Sequence, residues 1–256
     1  MHFMKNMDNK YNKNKLKTIN ASYPQGSLNI TIIHGQSHKG STYHIARMLA
    51  EKLEGDITEF FLPKDFSSFC VGCTFCFAMS ETLCPHYEKL KPLTEALDRA
   101  DVIILASPVY VFHVTGAMKA FLDHYGYRWM VHRPEEKMFR KQAVCISTAV
   151  GAGMKSTNKD MADSMFFWGI AKTYRYGTAV AEVSWDRVSA RKKTRIDKKT
   201  TALARKIKKR GGQVKPSVKT KVFFNMMRLA MEKGWNEVDA AYWREKGWTG
   251  KVRPWK

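Results

Sequence analysis

The sequence predicts an α/β fold, a doubly wound parallel sheet with helices on both faces. Two observations carry the prediction. Short apolar, β-branched runs alternate with amphipathic helical stretches from about residue 28 to about residue 185, which is the pattern of linked β-α-β units. Loops rich in Gly, Ser and Thr follow the first, third and fourth of those runs, where such a sheet opens its ligand-binding edge.

Residues 1–27 are rich in Asn and Lys with few apolar side chains and read as a disordered leader. The first strand follows, its Ile30, Ile32 and Ile33 suited to burial on both faces. The turn 35–42 offers two glycines, three hydroxyls and Lys39, and its Ser/Thr end predicts a cap for a helix beginning near Tyr43. That helix carries Ile45, Met48, Leu49 and Leu53 at helical spacing, and Gly55 ends it. A second strand over 56–62 stops at Pro63. A long cysteine-bearing loop then leads to a helix over about 91–99, with Pro92 tolerated in its first turn. The third strand is 101–106, a helix spans about 116–127, the fourth strand is 142–147, and 155–169 is helical. Residues 174–183 alternate as a fifth strand. Beyond them, 187–210 is a cationic helix broken by Gly211-Gly212, 218–233 is a helix with a broad apolar side, and the tail carries Trp235, Trp243, Trp248 and Trp255. The expected organisation is an α/β domain over 28–186 and a basic, Trp-rich helical extension over 187–256.

Composition narrows the class. A length of 256 residues and 44% hydrophobic content suit one globular domain with an appendage. No apolar run approaches the ~20 residues of a membrane span, and no signal-peptide core begins the chain, so the expectation is a cytoplasmic protein. The formal charge is +21, and from Arg187 onward 22 Lys/Arg stand against 5 Asp/Glu. Such a segment suits nucleic acid, an anionic membrane or an acidic protein, or else is a solvated helix face.

The turn 35–42 reads as a phosphate cradle, because free N–H groups at a helix start stabilise an anion while hydroxyls and a lysine complete its hydrogen bonds. The alternative reading is an ordinary strand-to-helix loop. Neither G-x-x-x-x-G-K-[ST] nor G-x-G-x-x-G occurs, which favours a phosphomonoester over a nucleoside triphosphate or dinucleotide. The loops 107–112 and 148–153 add backbone groups beside Tyr110 and Phe112. One anion cradle and two such loops suit FMN, a flat heteroaromatic ring with a phosphate tail.

The strings GQSHKGST, ASPVYVFHVTGAMKAFLDH and TAVGAG, at the ends of the first, third and fourth strands, resemble the flavodoxin-like NAD(P)H-dependent FMN reductase family. The resemblance covers roughly residues 28–185 and implies a five-stranded sheet of order 2-1-3-4-5. It further implies that Ser37, Lys39, Ser41 and Thr42 hold the FMN phosphate and that Pro108, Val109, Tyr110 and Phe112 flank the ribityl chain and ring. Thr148, Ala149, Val150, Gly151 and Gly153 would then meet the pyrimidine edge. The chain departs from the family pattern at Gln36, His38 and Val111.

Cys70, Cys73, Cys76 and Cys84 form C-x2-C-x2-C-x7-C-P. The spacing is similar to ferredoxin-type [4Fe–4S] ligation and to the compact motif of the iron-sulfur flavoproteins. Zinc ligation by the same four residues, or no metal at all, stays open. Cys145 reads as a buried small hydrophobe. Among the histidines, His38 and His113 fall in the candidate loops, and the sequence suggests no ligand pair. No catalytic side chain is named, since a flavin carries the chemistry itself.

The leading expectation is an FMN-dependent NAD(P)H oxidoreductase that serves a small acceptor such as a quinone, a nitro compound or free flavin. The alternatives are an electron-transfer iron-sulfur flavoprotein and, in another class, a nucleic-acid-binding module in the basic segment. The leading reading has no nucleic-acid partner. A homodimer is expected, with the aromatic run 125–129 or the Trp-rich tail closing the flavin site.

Overall fold

A computed structural model describes residues 27–211 and 214–256. The leader expected over 1–27 lies outside them but for Ser27, as does Gly212 of the expected helix break. In chain order the elements are β1 (Asn29–His34), α1 (Ser41–Leu53), β2 (Asp56–Phe61), α2 (Phe75–Ala78), α3 (Tyr87–Arg99), β3 (Val102–Ala106) and α4 (Gly116–Asp123). They continue with β4 (Gln142–Ala149), α5 (Met154–Phe167), β5 (Lys172–Ala179), α6 (Ala190–Arg210), α7 (Val218–Glu232) and α8 (Glu237–Glu245). The strands form one five-stranded sheet of order β2-β1-β3-β4-β5. All four ladders are parallel. This is the flavodoxin-like order.

The alternation of side chains along each strand divides the core in two. Ile30, Ile32, Val102, Ile104, Val144 and Ile146 face α1 and α6, meeting Ile45, Leu49, Ile196 and Ile207. Ile33, Ile103, Leu105 and Cys145 face α3, α4 and α5, meeting Leu93, Leu97, Met118, Phe121 and Met165. Cys145 is fully buried, and burial pushes its thiol up to about 12. The cationic helix α6 therefore packs on this sheet face beside α1. Its apolar residues Ile196, Ala204 and Ile207 lie at helical spacing under a basic outer surface.

Several boundaries differ from expectation. α1 starts at Ser41 and is capped by Gly40, not by a Ser/Thr side chain. The left-handed residue ending α1 is Glu54, with φ 57. Gly55 is instead fixed by a close approach, since a Cβ there would lie 2.0 Å from the Leu28 carbonyl oxygen. α3 begins at Tyr87, so Pro92 stands inside it; Pro92 is solvent-exposed, and water can serve the Glu88 carbonyl that its missing N–H abandons. α4 stops at Asp123.

A third cluster joins the C-terminal helices to the body of the chain. Phe224, Met227 and Met231 of α7 with Trp243 and Trp248 enclose Met130 and Phe139. The indole N–H of Trp243 donates to His132 O at 2.6 Å. Within the run 125–129, Tyr125 and Tyr127 are buried in the core, whereas Trp129 stacks on Phe167 and, with Gly126, lines a cavity that His113, Val114 and Asp160 also line. Among the described residues no helix is long and apolar enough to cross a membrane.

Candidate active site

β1, β3 and β4 end at the same edge of the sheet, and the loops that follow them are hydrogen-bonded into one rim. The Tyr110 hydroxyl donates to Gln36 Oε1 at 2.7 Å. The Val109 N–H donates to Thr148 O at 2.9 Å. The hydroxyls of Thr42 and Thr148 share a buried hydrogen bond of 2.6 Å. Thr115, which the sequence reading passed over, braces the rim from below: Oγ1 donates to Gly35 O at 2.6 Å and accepts from Met118 N–H at 3.1 Å as the cap of α4. A Thr directly before an amphipathic helix is the signal that could have found it.

In the first loop the expected residues separate. Ser41 is buried, and its Oγ has no hydrogen-bond partner among the described residues. No side chain caps α1, so the amides of its first turn are open as well. Ser37 donates to Leu62 O at 3.3 Å, and Lys39 Nζ lies 5.3 Å over the Tyr43 ring and 5.8 Å over Phe61. A buried hydroxyl without a partner costs about 1–3 kcal/mol. An anion at a helix N-terminus removes that cost and meets the free amides at the same time, so this turn fits a phosphate group.

The second loop is a two-residue turn. Tyr110 and His113 exchange both backbone hydrogen bonds, at 2.9 and 3.0 Å. Val111 and Phe112 between them have φ 47 and 65, the left-handed pair that such turns normally give to Asn-Gly. The Phe112 carbonyl accepts from the hydroxyls of Ser156 and Thr157 on α5. His113 Nδ1 lies 2.9 Å from Asp160 Oδ2. Gly153 of the third loop has φ 93, and a Cβ there would come within 2.5 Å of Val109 Cγ1. Thr148 is buried, Ala149 half-buried, and Val150 and Gly151 are exposed, while Pro108 and Val109 are half-buried. Tyr110, Val111, Phe112 and Val150 leave an exposed apolar lip on the rim.

Behind the rim, His34 at the end of β1 is buried against Glu59, its Nε2 2.9 Å from Oε1. Burial, outweighing Glu59, lowers its pKa. His38 is exposed.

The cysteine segment packs against the α3–α4–α5 side of the core, through Cys76 and Phe77. Cys70 is exposed, Cys73, Cys76 and Cys84 are half-buried, and all are free thiols. The Cys76 thiol is pushed up by burial and then by the nearby Cys84, Cys70 and Cys73. That donor set fits an iron-sulfur cluster. The segment is clamped by Arg133, which donates to Cys76 O and Phe77 O and pairs with the buried Asp239 of α8 at 2.5 Å. Contrary to expectation the histidines do include a close pair: His86 Nδ1 lies 2.9 Å from His124 Nε2.

Comparison with known proteins agrees with this architecture. Residues 28–184 match the family described as NADPH-dependent FMN reductase. The chain belongs to that family. It is 34% identical over 87 residues to an iron-sulfur flavoprotein of Archaeoglobus fulgidus, covering 33% of this chain and 36% of the relative. It is 28% identical over 126 residues to an iron-sulfur flavoprotein of Clostridioides difficile, covering 46% of this chain and 53% of the relative. This FMN reductase family member thus spans about a third to a half of the curated relatives it matches. The fold is similar to that of an NAD(P)H:quinone oxidoreductase from Methanothermobacter marburgensis, with a TM-score of 0.51 at 15% identity over 70% of this chain and 100% of the other.

Proposed function

We propose that the chain is an FMN-dependent oxidoreductase of the cytoplasm that takes reducing equivalents from NAD(P)H and delivers them to a quinone, a nitro compound or free flavin. The observation that carries this reading is the buried, unpartnered Ser41 hydroxyl at the uncapped N-terminus of α1, inside the rim of a chain of the FMN reductase family. Ser41 and the first-turn amides hold the phosphate, Ser37 and Lys39 border it, and Thr42 ties the cradle to Thr148. Pro108, Val109, Tyr110 and Phe112 flank the ribityl chain and ring, and 148–153 meets the pyrimidine edge. When bound, the flavin supplies the hydride and electron chemistry. The protein's part is placement and an apolar lip on which a second flat ring can stack. FMN titration tests this: Ser41→Ala weakens binding about 10- to 100-fold, the loss of one hydrogen bond to a charged acceptor, ~1.5–3 kcal/mol. Wild-type protein that neither purifies yellow nor binds FMN ends the proposal.

A second reading, an electron-transfer iron-sulfur flavoprotein, is supported by the four-cysteine spacing, by the upward push of Cys84, Cys70 and Cys73 on the Cys76 thiol, and by the names of the curated relatives. Cys70, Cys73, Cys76 and Cys84 would carry a [4Fe–4S] cluster. Anaerobically purified protein then contains iron and labile sulfide, and a chain that lacks both even after reconstitution is a plain flavoprotein.

A further inference from the structure

Cys84, His86 and His124 bring one sulfur and two ring nitrogens within 4.8 Å of one another. The group joins two helix ends, His86 preceding α3 and His124 following α4. Phe66 stands edge-on to the His124 ring, 4.8 Å between centroids. His124 is buried while Cys84 and His86 are half-buried, so solvent and ions reach the group from one side. His124 Nδ1 lies 2.7 Å from Ala120 O. A carbonyl only accepts, so Nδ1 carries the proton and Nε2 offers a lone pair. A ring N–H held by a backbone carbonyl is the outer-shell support that orients metal-binding histidines. That lone pair meets His86 Nδ1 at 2.9 Å, near the ~3.3 Å separating two nitrogens bound about 2.0–2.1 Å from a tetrahedral ion. The two nitrogens are thus already near ligand spacing, with the Cys84 sulfur within 4.8 Å of both.

We propose that Cys84 Sγ, His86 Nδ1 and His124 Nε2 bind one divalent transition metal, with water completing a tetrahedron. A thiolate and two imidazoles favour Zn2+. Binding releases the Cys84 thiol proton to solvent, and the His86 ring carries its proton on Nε2. Cys84 cannot serve this ion and a four-cysteine cluster together, so the two occupancies exclude each other.

Zn2+ calorimetry on the full-length, anaerobically reduced, cluster-free chain tests the site, with zinc-edge X-ray absorption reading the ligands. The expected result is one Zn2+ per chain bound by one sulfur and two ring nitrogens. Cys84→Ser and His86→Ala, both at half-buried positions, each lower affinity by more than the ~100-fold that loss of an outer-shell partner costs. The double variant Cys70→Ser/Cys73→Ser leaves affinity unchanged. Circular dichroism establishes that each variant is folded. Absence of stoichiometric binding, an all-sulfur shell, retention of affinity in His86→Ala, or its loss in the double variant overturns the proposal.

Discussion

Ser41 and Thr42 are neighbours in one helical turn with opposite situations. The Thr42 hydroxyl is spent on Thr148, whereas that of Ser41 is buried and free. Ser41→Ala therefore leaves the flavin-free protein as stable as before or raises its unfolding free energy by up to ~1 kcal/mol, because an unsatisfied buried group is removed. Chemical denaturation of the flavin-free protein measures this, and a large destabilisation would mean that the hydroxyl has a structural partner. Val111 is the second residue whose situation the backbone decides. A β-branched side chain at φ 47 costs about 1–2 kcal/mol, and the residue is 92% exposed. Val111→Asn, suited to that conformation, is expected to stabilise the fold by roughly 1 kcal/mol while removing part of the apolar lip. A shift in the denaturation midpoint checks the gain. Both sites were half legible in the sequence. The strand-end loops stand out by composition, and Val111 by its departure from the family pattern. The orphaned Ser41 depends on a helix start two residues earlier than the Ser/Thr end suggests, which only packing decides. The His86–His124 pair is 38 residues apart along the chain and leaves no trace in spacing.

At the scale of elements, the alternating runs made the sheet readable, since burial on both faces demands β-branched apolar strands. Charge obscured the docking of α6 rather than its helicity, since four buried residues suffice to seat a helix whose remaining positions are mostly Lys and Arg. The ends of α3 illustrate a different limit. Its C-terminal carbonyls, Leu97 O and Asp98 O, accept from the buried ammonium of Lys141 at 2.8 and 2.7 Å. Burial, outweighing Asp98 and Asp101, lowers the Lys141 pKa from 10.5 to about 8. A lowered lysine costs stability while both states are protonated and returns it as the folded state loses its proton. The unfolding free energy should thus rise between about pH 8 and 10.5, by on the order of 3 kcal/mol from this group. Urea denaturation of wild type against Lys141→Met isolates it, and a flat difference across that window shows that the helix-end carbonyls hold the charge fully. Asp239 is the other decisive buried charge. Asp239→Ala strands the Arg133 guanidinium that holds Cys76 O and Phe77 O, a loss of about 3–5 kcal/mol. Hydrogen exchange at 75–78 reports whether α8 steadies the cysteine segment.

For the whole molecule, the tail is part of the chain's own core, and its place along α5 bears on the flavin site. α5 begins beside Gly153 at the rim and runs about 20 Å to Phe167, where Phe223 of α7 packs on Phe166 and Phe167. Within one subunit the tail therefore lies at the far end of α5 and does not shape that subunit's flavin mouth. Deleting 214–256 strips the cover from Met130 and Phe139 and should first cost solubility and stability. α7 nevertheless has a second apolar face. Thr220, Phe224, Met227 and Met231 point into the protein, while Val218, Val222, Met226 and Leu229, spaced four, four and three residues apart, line an exposed stripe. A stripe of this kind on a folded helix suits a self-complementary contact between two copies, and the homodimer expected from the sequence would form through it. Val222→Glu with Met226→Glu changes only exposed positions, so the fold and FMN content should persist while sedimentation falls from dimer to monomer. A wild type that already sediments as a monomer, or a double variant that stays dimeric, assigns the stripe to another partner.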